Sequence, residues 1–271
     1  MLWENVIWRN FVNYTDHQGY VIIAFNTEDV DYVECARTLA KSIRTYHSDV
    51  KICLITGNDV EDELFDYVKV TEDLGGYKND LHAFTLTPFH ETVKLEADMI
   101  LTSSFEHWWP YFRNYDVWIS TGCRTYHDRW APSRHYRRII DDNQLPDVYN
   151  ACTYWRQSPL ARQFYLNLSN LFNNWSSVQN SLLFAKNEPL NTDLAYAVIA
   201  GMCGEEIFTG PGGPQIVHMK PKINYLTVEE WNKQLVWEII SGQVRINGHT
   251  QNGLLHYHIK DIAPEFGACY D

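Results

Sequence analysis

Two carboxylates stand inside an otherwise apolar run between Val93 and Leu101, and this feature constrains the chain most. The run reads Val-Lys-Leu-Glu-Ala-Asp-Met-Ile-Leu, is typical of a buried strand, and carries Glu96 and Asp98 two positions apart. Residues i and i+2 of a strand face the same side. Because an uncompensated buried carboxylate is costly, such acids sit at an exposed strand end, are paired, or bind a cation. Two hard oxygen ligands favour magnesium or manganese, and an ordinary salt-bridged strand end is the alternative.

The composition is that of a globular chain. Its 271 residues, 45% of them hydrophobic, suffice for one enlarged domain. Charge interrupts the N-terminal segment before a signal peptide or membrane span develops, so we expect a cytosolic protein without a membrane partner. The six cysteines form no CxxC pair, which argues against a zinc site or a disulfide framework. A net charge of −12 disfavours uniform attraction to nucleic acid but permits a local basic patch.

Strand-like and helix-like segments alternate along the chain, which predicts an α/β sheet. A strand is predicted over 20–25, a helix from apolar positions recurring over 30–46, and further strands over 50–56 and 67–70. In such a β-α-β unit the turn after the first strand lies at the carboxyl edge of the sheet, where open α/β proteins bind ligands. Because neither GxGxxG nor a P-loop occurs there, a dinucleotide site or a kinase-type phosphate loop is disfavoured.

The later half continues in the same style. Ser158 and Pro159 predict the N-cap and first residue of an amphipathic helix, and Thr227-Val-Glu-Glu230 predicts a capping box. Further strands are predicted over 117–121, 148–155, 216–218, 244–247 and 254–259. Since the chain has no internal repeat or long linker, one compact domain is predicted.

Several segments resemble the GT-A-fold glycosyltransferases, and more closely glycosyltransferase-like proteins of tailed phages, some of which glycosylate hydroxymethylcytosine in phage DNA. In chain order they are VIIAFNTEDVDYVECA, ETVKLEADMILTSSFEHWW, YRRIIDDNQLPDVYNACTYW, NTDLAYA, IVHMK and LLHYHIKDI. The resemblance implies a single domain over 1–271 with a Rossmann-like mixed sheet flanked by helices. Its nucleotide-binding half would span roughly 18–121 and its acceptor-binding half 122–271. The implied donor is a UDP-sugar carrying arabinose or glucose, and the implied location is the host cytoplasm.

The same resemblance makes Leu-Glu-Ala-Asp-Met a DxD-type motif that holds Mn²⁺ or Mg²⁺ against the donor diphosphate, with Glu96 in place of the first aspartate. Asp98 is the stronger ligand candidate. His256, His258 and Lys260 alternate along a predicted strand, so they would share one face. His218 and Lys220 form a competing pair, and the choice between His218 and His258 as the late metal ligand stays open. Either histidine has the alternative role of a hydrogen-bonded structural residue.

The remaining donor contacts are also implied by the resemblance. Candidates for the base, ribose, phosphates and sugar are Asn26, Thr27, Asp31, Tyr32, Lys78, Asn79, Asn150, Ala151, Lys220 and Lys260. Asp193 stands where related enzymes carry an acid near the reacting sugar, and an inverting transferase needs a general base for the acceptor hydroxyl. Helix capping, first-turn charge and a solvated loop are the alternative roles of these polar residues.

Arginines concentrate between 124 and 138, interleaved with aromatic residues and a single acid, Asp128. Guanidinium groups suit phosphate oxygens and aromatic rings stack on exposed bases. With the resemblance, this predicts a DNA acceptor contacted by Arg124, Arg129, Trp130, Arg134, Arg137 and Arg138. The alternative role of the segment is a solvated loop paired with surface acids such as Asp141 and Asp142. For the protein as a whole, the alternatives are a glycan, lipid or protein acceptor, and a catalytically silent GT-A-like binding module.

Overall fold

The computed structural model of the protein describes residues 16–131, 137–204, 208, 213–220, 223–224, 234–240 and 243–270. Its main sheet contains, in spatial order, β3 (Tyr67–Val70), β2 (Lys51–Thr56), β1 (Asp16–Ala24), β4 (Phe89–Glu96), β7 (Val148–Arg156) and β6 (Val117–Thr121). The first four strands run parallel, and β7 is antiparallel to both of its neighbours. The predicted α/β class with a mixed sheet is confirmed.

Helices cover both faces of this sheet. They are α1 (Tyr32–Tyr46), α2 (Asp80–Leu86), α3 (Trp108–Phe112), α4 (Arg137–Asp142), α5 (Pro159–Val178), α6 (Thr192–Cys203) and α7 (Ala263–Ala268), with 3₁₀ turns at Gly76–Asn79, Gln179–Ser181 and Lys260–Ile262. Alternate residues of β1 enter different cores: Tyr20 and Ile22 pack with α1, whereas Val21 packs with α5 and α6. Both faces are buried, which explains why the central strands are continuously apolar.

Two smaller sheets complete the described architecture. One has the order β5 (Met99–Leu101), β12 (Leu254–His256), β8 (Ile216–His218), with β12 antiparallel to β5 and parallel to β8. The other consists of β11 (His249–Thr250), β10 (Gln243–Ile246) and β9 (Trp237–Ile240). The sheet of β5, β12 and β8 brings the two late histidine-lysine segments side by side, with His256 in register with His218.

Two strand predictions are wrong in a way that matters for the site. The run 93–101 is two strands, because the chain turns at Ala97 and Asp98 and passes from the main sheet into the smaller one. The strand predicted over 254–259 ends at His256. His258 adopts a left-handed conformation (φ 62°), and the chain enters a 3₁₀ turn at Lys260. Strict alternation cannot pass through such a turn.

Other element predictions are confirmed. Strands β3, β6 and β8 have the predicted bounds, and Ser158 caps α5 by accepting a hydrogen bond from the Ala161 N–H (3.1 Å) ahead of Pro159. The capping box predicted at 227–230 lies outside the described residues. Within the described ranges, none of the helices has the length and apolar character required to cross a bilayer.

His47 at the end of α1 makes fold stability depend on pH. Its Nε2 accepts a hydrogen bond from the Phe105 N–H (2.6 Å), so the neutral ring carries its proton on Nδ1, which donates to the Tyr20 hydroxyl oxygen (2.9 Å). Burial lowers the pKa of His47 from 6.5 to about 4. Because the unfolded chain takes up this proton more readily, the stability due to the neutral ring is present above pH 6.5 and is lost as pH falls toward 4.

We therefore expect the free energy of unfolding to fall between pH 6.5 and 4 by up to about 3 kcal/mol from this residue. Urea unfolding at several pH values measures the decrease. His47→Gln, which has no titrating ring, should show a flatter profile over this interval. Parallel profiles for the two proteins would contradict the assignment.

Candidate active site

A pocket of about 590 Å³ opens at the carboxyl ends of β1 and β4. Its walls come from the first β-α turn, the loop before α2, the start of α6 and the ends of β8 and β12. The lining residues with polar side chains are Thr27, Tyr32, Asp73, Tyr77, Asn79, Asp80, Lys94, Glu96, Asp98, Tyr149, Asn191, Thr192, Asp193, His218, Lys220, His256, His258 and Lys260. The pocket therefore lies at the sheet edge that the sequence indicated.

Asp98 lies in the turn between β4 and β5, and its side chain is buried. Its Oδ2 accepts hydrogen bonds from His256 Nε2 (2.9 Å) and from Lys260 Nζ. Burial alone would raise the pKa of this carboxyl, but the positive charges and hydrogen bonds of His256 and Lys260 hold it well below its usual range. Asp98 is therefore a carboxylate throughout the neutral pH range.

Two histidines form a cluster with Asp98. Potential ligand atoms of Asp98, His256 and His258 all lie within 4.8 Å of one another. His256 was not among the predicted metal ligands, whereas His258 was. His218 lies beside His256, with ring centroids 4.7 Å apart, but its Nδ1 faces the Tyr149 hydroxyl (2.6 Å). Among the described residues, the Asp98 group therefore contains His256 and His258, and His218 flanks it.

The two strand-end acids differ in character. Glu96, the last residue of β4, has a side chain that is 29% exposed, and its Oε2 lies 3.3 Å from His256 Nδ1. Burial raises the pKa of Glu96 to about 7, against the lowering effect of His256 and Lys94. A bound cation would favour the ionised form of this carboxyl.

The same cluster satisfies the chemistry of a hard or borderline divalent ion. Mn²⁺ and Mg²⁺ take carboxylate oxygens, and imidazole nitrogen suits Mn²⁺ better than Mg²⁺. Metal ligands must be deprotonated, and burial lowers the pKa of His258 to about 3, so that its ring is neutral at pH 7. Asp98 and His258, with Glu96 beside them, fit the predicted metal on these grounds. Burial lowers the pKa of His256, but Asp98 and Glu96 raise it overall, so a metal bound to this ring would replace a proton.

A buried charge network forms the floor of the pocket. The Lys94 side chain is 3% exposed, and its ammonium group lies 3.1 Å from Asp80 Oδ1 and 3.2 Å from the Asn150 carbonyl oxygen. Asn150 Nδ2 donates to Asp80 (2.7 Å), and the Asn150 N–H donates to Asp193 Oδ1 (2.7 Å). Burial would lower the pKa of Lys94, but Asp80 raises it, so the ammonium stays charged. The network orients Asp193 toward the pocket from the first turn of α6.

Of the residues predicted at the first β-α turn, Thr27 and Tyr32 line the pocket. Asn26, Thr27 and Asp31 each accept a hydrogen bond from a backbone N–H three to seven residues further along the chain. Within the described chain, Asn26 and Asp31 lie outside the pocket lining. Helix capping, the alternative role, is thus what Asp31 performs at the start of α1.

The loop before α2 is closed by Asn79. Its side chain accepts from the Leu74 N–H (2.8 Å) and donates to Asp73 Oδ1 (2.7 Å). Asn79 reaches the pocket, whereas Lys78, as described, is half-buried outside its lining. Ala151, behind Asn150 on β7, is fully buried.

The arginine-rich segment borders the pocket through β8. The carbonyl of Arg124 accepts a hydrogen bond from the His218 N–H (2.9 Å), which places Arg124 beside the strand that ends at His218. The Arg124 guanidinium pairs with Asp128 (2.7 Å) and lies over the Trp130 ring, 4.8 Å from its centroid. Trp130 is 65% exposed, and Arg129 is exposed beside it.

The other arginines of the segment either pair with a surface acid or lie outside the described residues. Arg138 pairs with Asp142 (3.2 Å) and lies over Phe184, so the surface-acid alternative describes it. Arg134 and the side chain of Arg137 lie outside the described residues.

Several residues that line the site were not among the predicted site residues, including Asp80, Lys94 and His256. Lys94 carried a signal, since a charged residue in a buried run requires a partner. The alternation of His256 with His258 was a second signal. Asp80 reaches the pocket only through tertiary packing.

No protein-family model matches the chain, and no curated protein matches it. Solved structures do match. The glycosyltransferase GlyE of Streptococcus pneumoniae TIGR4 superposes with a TM-score of 0.54 at 9% identity, over 93% of this chain and 60% of GlyE. Mouse xyloside xylosyltransferase 1 gives a TM-score of 0.53 at 12% identity, covering 90% of this chain and 98% of that one.

The galactosyltransferase LgtC, solved with donor and acceptor sugar analogues, gives a TM-score of 0.53 at 11% identity, over 94% of this chain and 95% of LgtC. This chain therefore spans nearly the whole of two of these proteins and only part of GlyE. At such identities the likeness establishes the fold, and the predicted GT-A-type fold is confirmed.

We expect Asp80→Asn to lower the free energy of unfolding by about 3 kcal/mol or more, because it leaves the buried ammonium of Lys94 without its counter-charge. Asp142→Asn removes the partner of exposed Arg138 and should cost less than about 1 kcal/mol. Urea unfolding measures both. Equal, small losses would show that Lys94 does not depend on Asp80.

Proposed function

We propose that this protein is a metal-dependent glycosyltransferase that moves arabinose or glucose from a UDP-sugar to hydroxymethylcytosine in phage DNA. The observation that carries the proposal is the cluster of buried Asp98 and His256 with half-buried His258, at the wall of a pocket of about 590 Å³ beside the first β-α turn. The GT-A-type fold supports it, because GlyE, xyloside xylosyltransferase 1 and LgtC, which share the fold, are glycosyltransferases.

In this proposal, Asp98, His256 and His258 hold the divalent ion, and Glu96 supports it directly or through its charge. When bound, the ion stabilises the negative charge that builds on the departing diphosphate. Lys260, already on Asp98, and Lys220 add two positive charges at the same end of the pocket. The remaining work belongs to side chains that bind and orient the two substrates.

Thr27 and Tyr32 line the pocket at the first β-α turn and are the residues that would contact the base and ribose of the donor. Asn79 and the loop it closes form the facing wall. Asp80 and Asp193 present carboxylate oxygens on the pocket floor, where they suit sugar hydroxyls, and the fully buried Asn150 holds both acids from behind. With Asp193 Oδ1 held by the Asn150 N–H, the carboxylate is oriented as a candidate general base for an acceptor hydroxyl.

DNA is favoured as the acceptor by the residues around Trp130. An exposed indole with the Arg124 guanidinium on its face provides a platform for an unstacked base, and Arg129 adds positive charge for phosphates. Arg124 and Arg129 outnumber Asp128, the acid that pairs with Arg124, so this patch has net positive charge in a chain of net charge −12.

Asp98→Asn should lower manganese-dependent release of UDP from a UDP-sugar by about 100-fold or more, since metal-ion stabilisation of charge is worth several kcal/mol. The exposed acid Glu61 offers a control, and Glu61→Ala should retain activity. Circular dichroism verifies that both variants are folded. If the natural protein turns over no donor with any acceptor, the proposal fails and a silent binding module takes its place.

For the acceptor, we expect transfer to hydroxymethylated DNA and none to unmodified DNA, read by mass spectrometry of the nucleosides. Trp130→Ala should raise KM for DNA by about tenfold or more, because base stacking on one aromatic ring is worth about 1–3 kcal/mol. Met202→Ala, another exposed apolar residue, is the matched control. Efficient transfer to a simple glycan, with no response to Trp130→Ala, would assign a glycan acceptor instead.

A further inference from the structure

We propose that Tyr149 and His218 are positioning residues that orient the imidazole of His256 for metal binding. The inference rests on the proposed function, in which His256 is a metal ligand. The Tyr149 hydroxyl lies 2.6 Å from His218 Nδ1 and also bonds to His256 Nδ1. All three side chains are buried, with exposures of 5%, 3% and 7%.

The three residues come from different strands and meet at one point. Tyr149 is on β7 of the main sheet, whereas His218 and His256 end neighbouring strands of the smaller sheet. The Tyr149 ring stacks parallel to the His256 ring (15° between planes) and edge-on to the His218 ring (72°). One hydroxyl thus ties both histidines to the main sheet, where Glu96 is also anchored.

The single proton of the Tyr149 hydroxyl restricts which of its two hydrogen bonds it can donate. A phenol carries one proton, so Tyr149 can donate to only one imidazole and must accept from the other. His256 Nε2 faces the Asp98 carboxylate, which only accepts, so without metal Nε2 carries a proton. Its Nδ1 lies 3.3 Å from Glu96 Oε2 as well as beside Tyr149, so Nδ1 also carries a proton and donates, and the Tyr149 proton goes to His218 Nδ1.

Metal binding at His256 Nε2 would replace the Nε2 proton and leave this chain of donors in place. A metal-bound imidazole keeps its proton on the other nitrogen and donates it to a neighbouring acceptor. Nδ1–H of His256 would then donate to the Tyr149 oxygen, and Tyr149 would donate to His218 Nδ1. His218 would thus be the tautomer that carries its proton on Nε2 and accepts at Nδ1.

The role of Tyr149 is therefore to accept a hydrogen bond from His256 Nδ1–H. His218 supports this role because its Nδ1 accepts the hydrogen bond that the Tyr149 hydroxyl donates. Losing such a bond to a metal-ligating histidine typically costs 10- to 100-fold in metal affinity. A residue that merely filled space would not have this effect, because Phe fills the same volume.

The test is the dissociation constant of Mn²⁺, measured from the electron paramagnetic resonance signal of the free ion. Tyr149→Phe should bind Mn²⁺ about 10- to 100-fold more weakly than the natural protein. Tyr154→Phe makes the same change on the same strand, at a buried hydroxyl with no hydrogen-bond partner in the described structure, and should bind Mn²⁺ as the natural protein does.

A second pair of variants keeps the test sharp if Tyr149→Phe does not fold. His218→Leu, which offers Tyr149 no acceptor, should also weaken Mn²⁺ binding. His218→Asn places an amide near the former Nδ1 and should restore most of the affinity. Absence of Mn²⁺ binding by the natural protein would overturn the proposed function itself. Mn²⁺ binding that is unchanged in Tyr149→Phe and His218→Leu, or lowered equally in His218→Leu and His218→Asn, would overturn only the present inference.

Discussion

The site depends on one buried carboxylate, that of Asp98, held between an imidazole and an ammonium group. A carboxylate in this position would be costly to bury alone, and His256 and Lys260 offset the cost by charge and hydrogen bonding. The interaction joins the turn after β4 to the chain around β12, more than 150 residues later. It thereby holds the smaller sheet against the carboxyl edge of the main sheet. This places His256 and His258 beside Asp98.

A second buried ion pair, between Lys94 and Asp80, connects separate elements on the pocket floor. Lys94 lies two residues before Glu96 on β4, and its charge is compensated by Asp80 from α2 and by the Asn150 carbonyl from β7. The floor is therefore held by two charged side chains and a carbonyl group from three elements, and Asp80 and Asp193 line the pocket there. Polar networks of this kind stabilise a site only when their members are all satisfied, and this one supplies donors for both acids.

Much of the fold was predictable from periodicity and capping signals. The strand bounds at 67–70, 117–121 and 216–218 and the Ser158-Pro159 helix start were predicted because each depends on local sequence. The break of 93–101 at Ala97 was not predictable, because both halves are apolar and buried and differ only in which sheet they join. His256 was missed as a ligand for a related reason. Alternation along a strand placed His256 on the same face as His258, but it could not show which of the two would reach the metal site. Their ligand atoms come together only because the chain makes a left-handed turn at His258.

The sequence by itself determined that two acids would end a buried strand at the ligand-binding edge of an α/β sheet, since hydrophobic runs, strand order and the cost of buried charge are local or general properties. Only the tertiary structure decided which groups face those acids. Asp98 acquired His256 and Lys260, Glu96 acquired a raised pKa, and Tyr149 was placed between two histidines. Partner choice depends on distances between strands far apart in sequence, and side-chain patterns along one chain do not encode those distances.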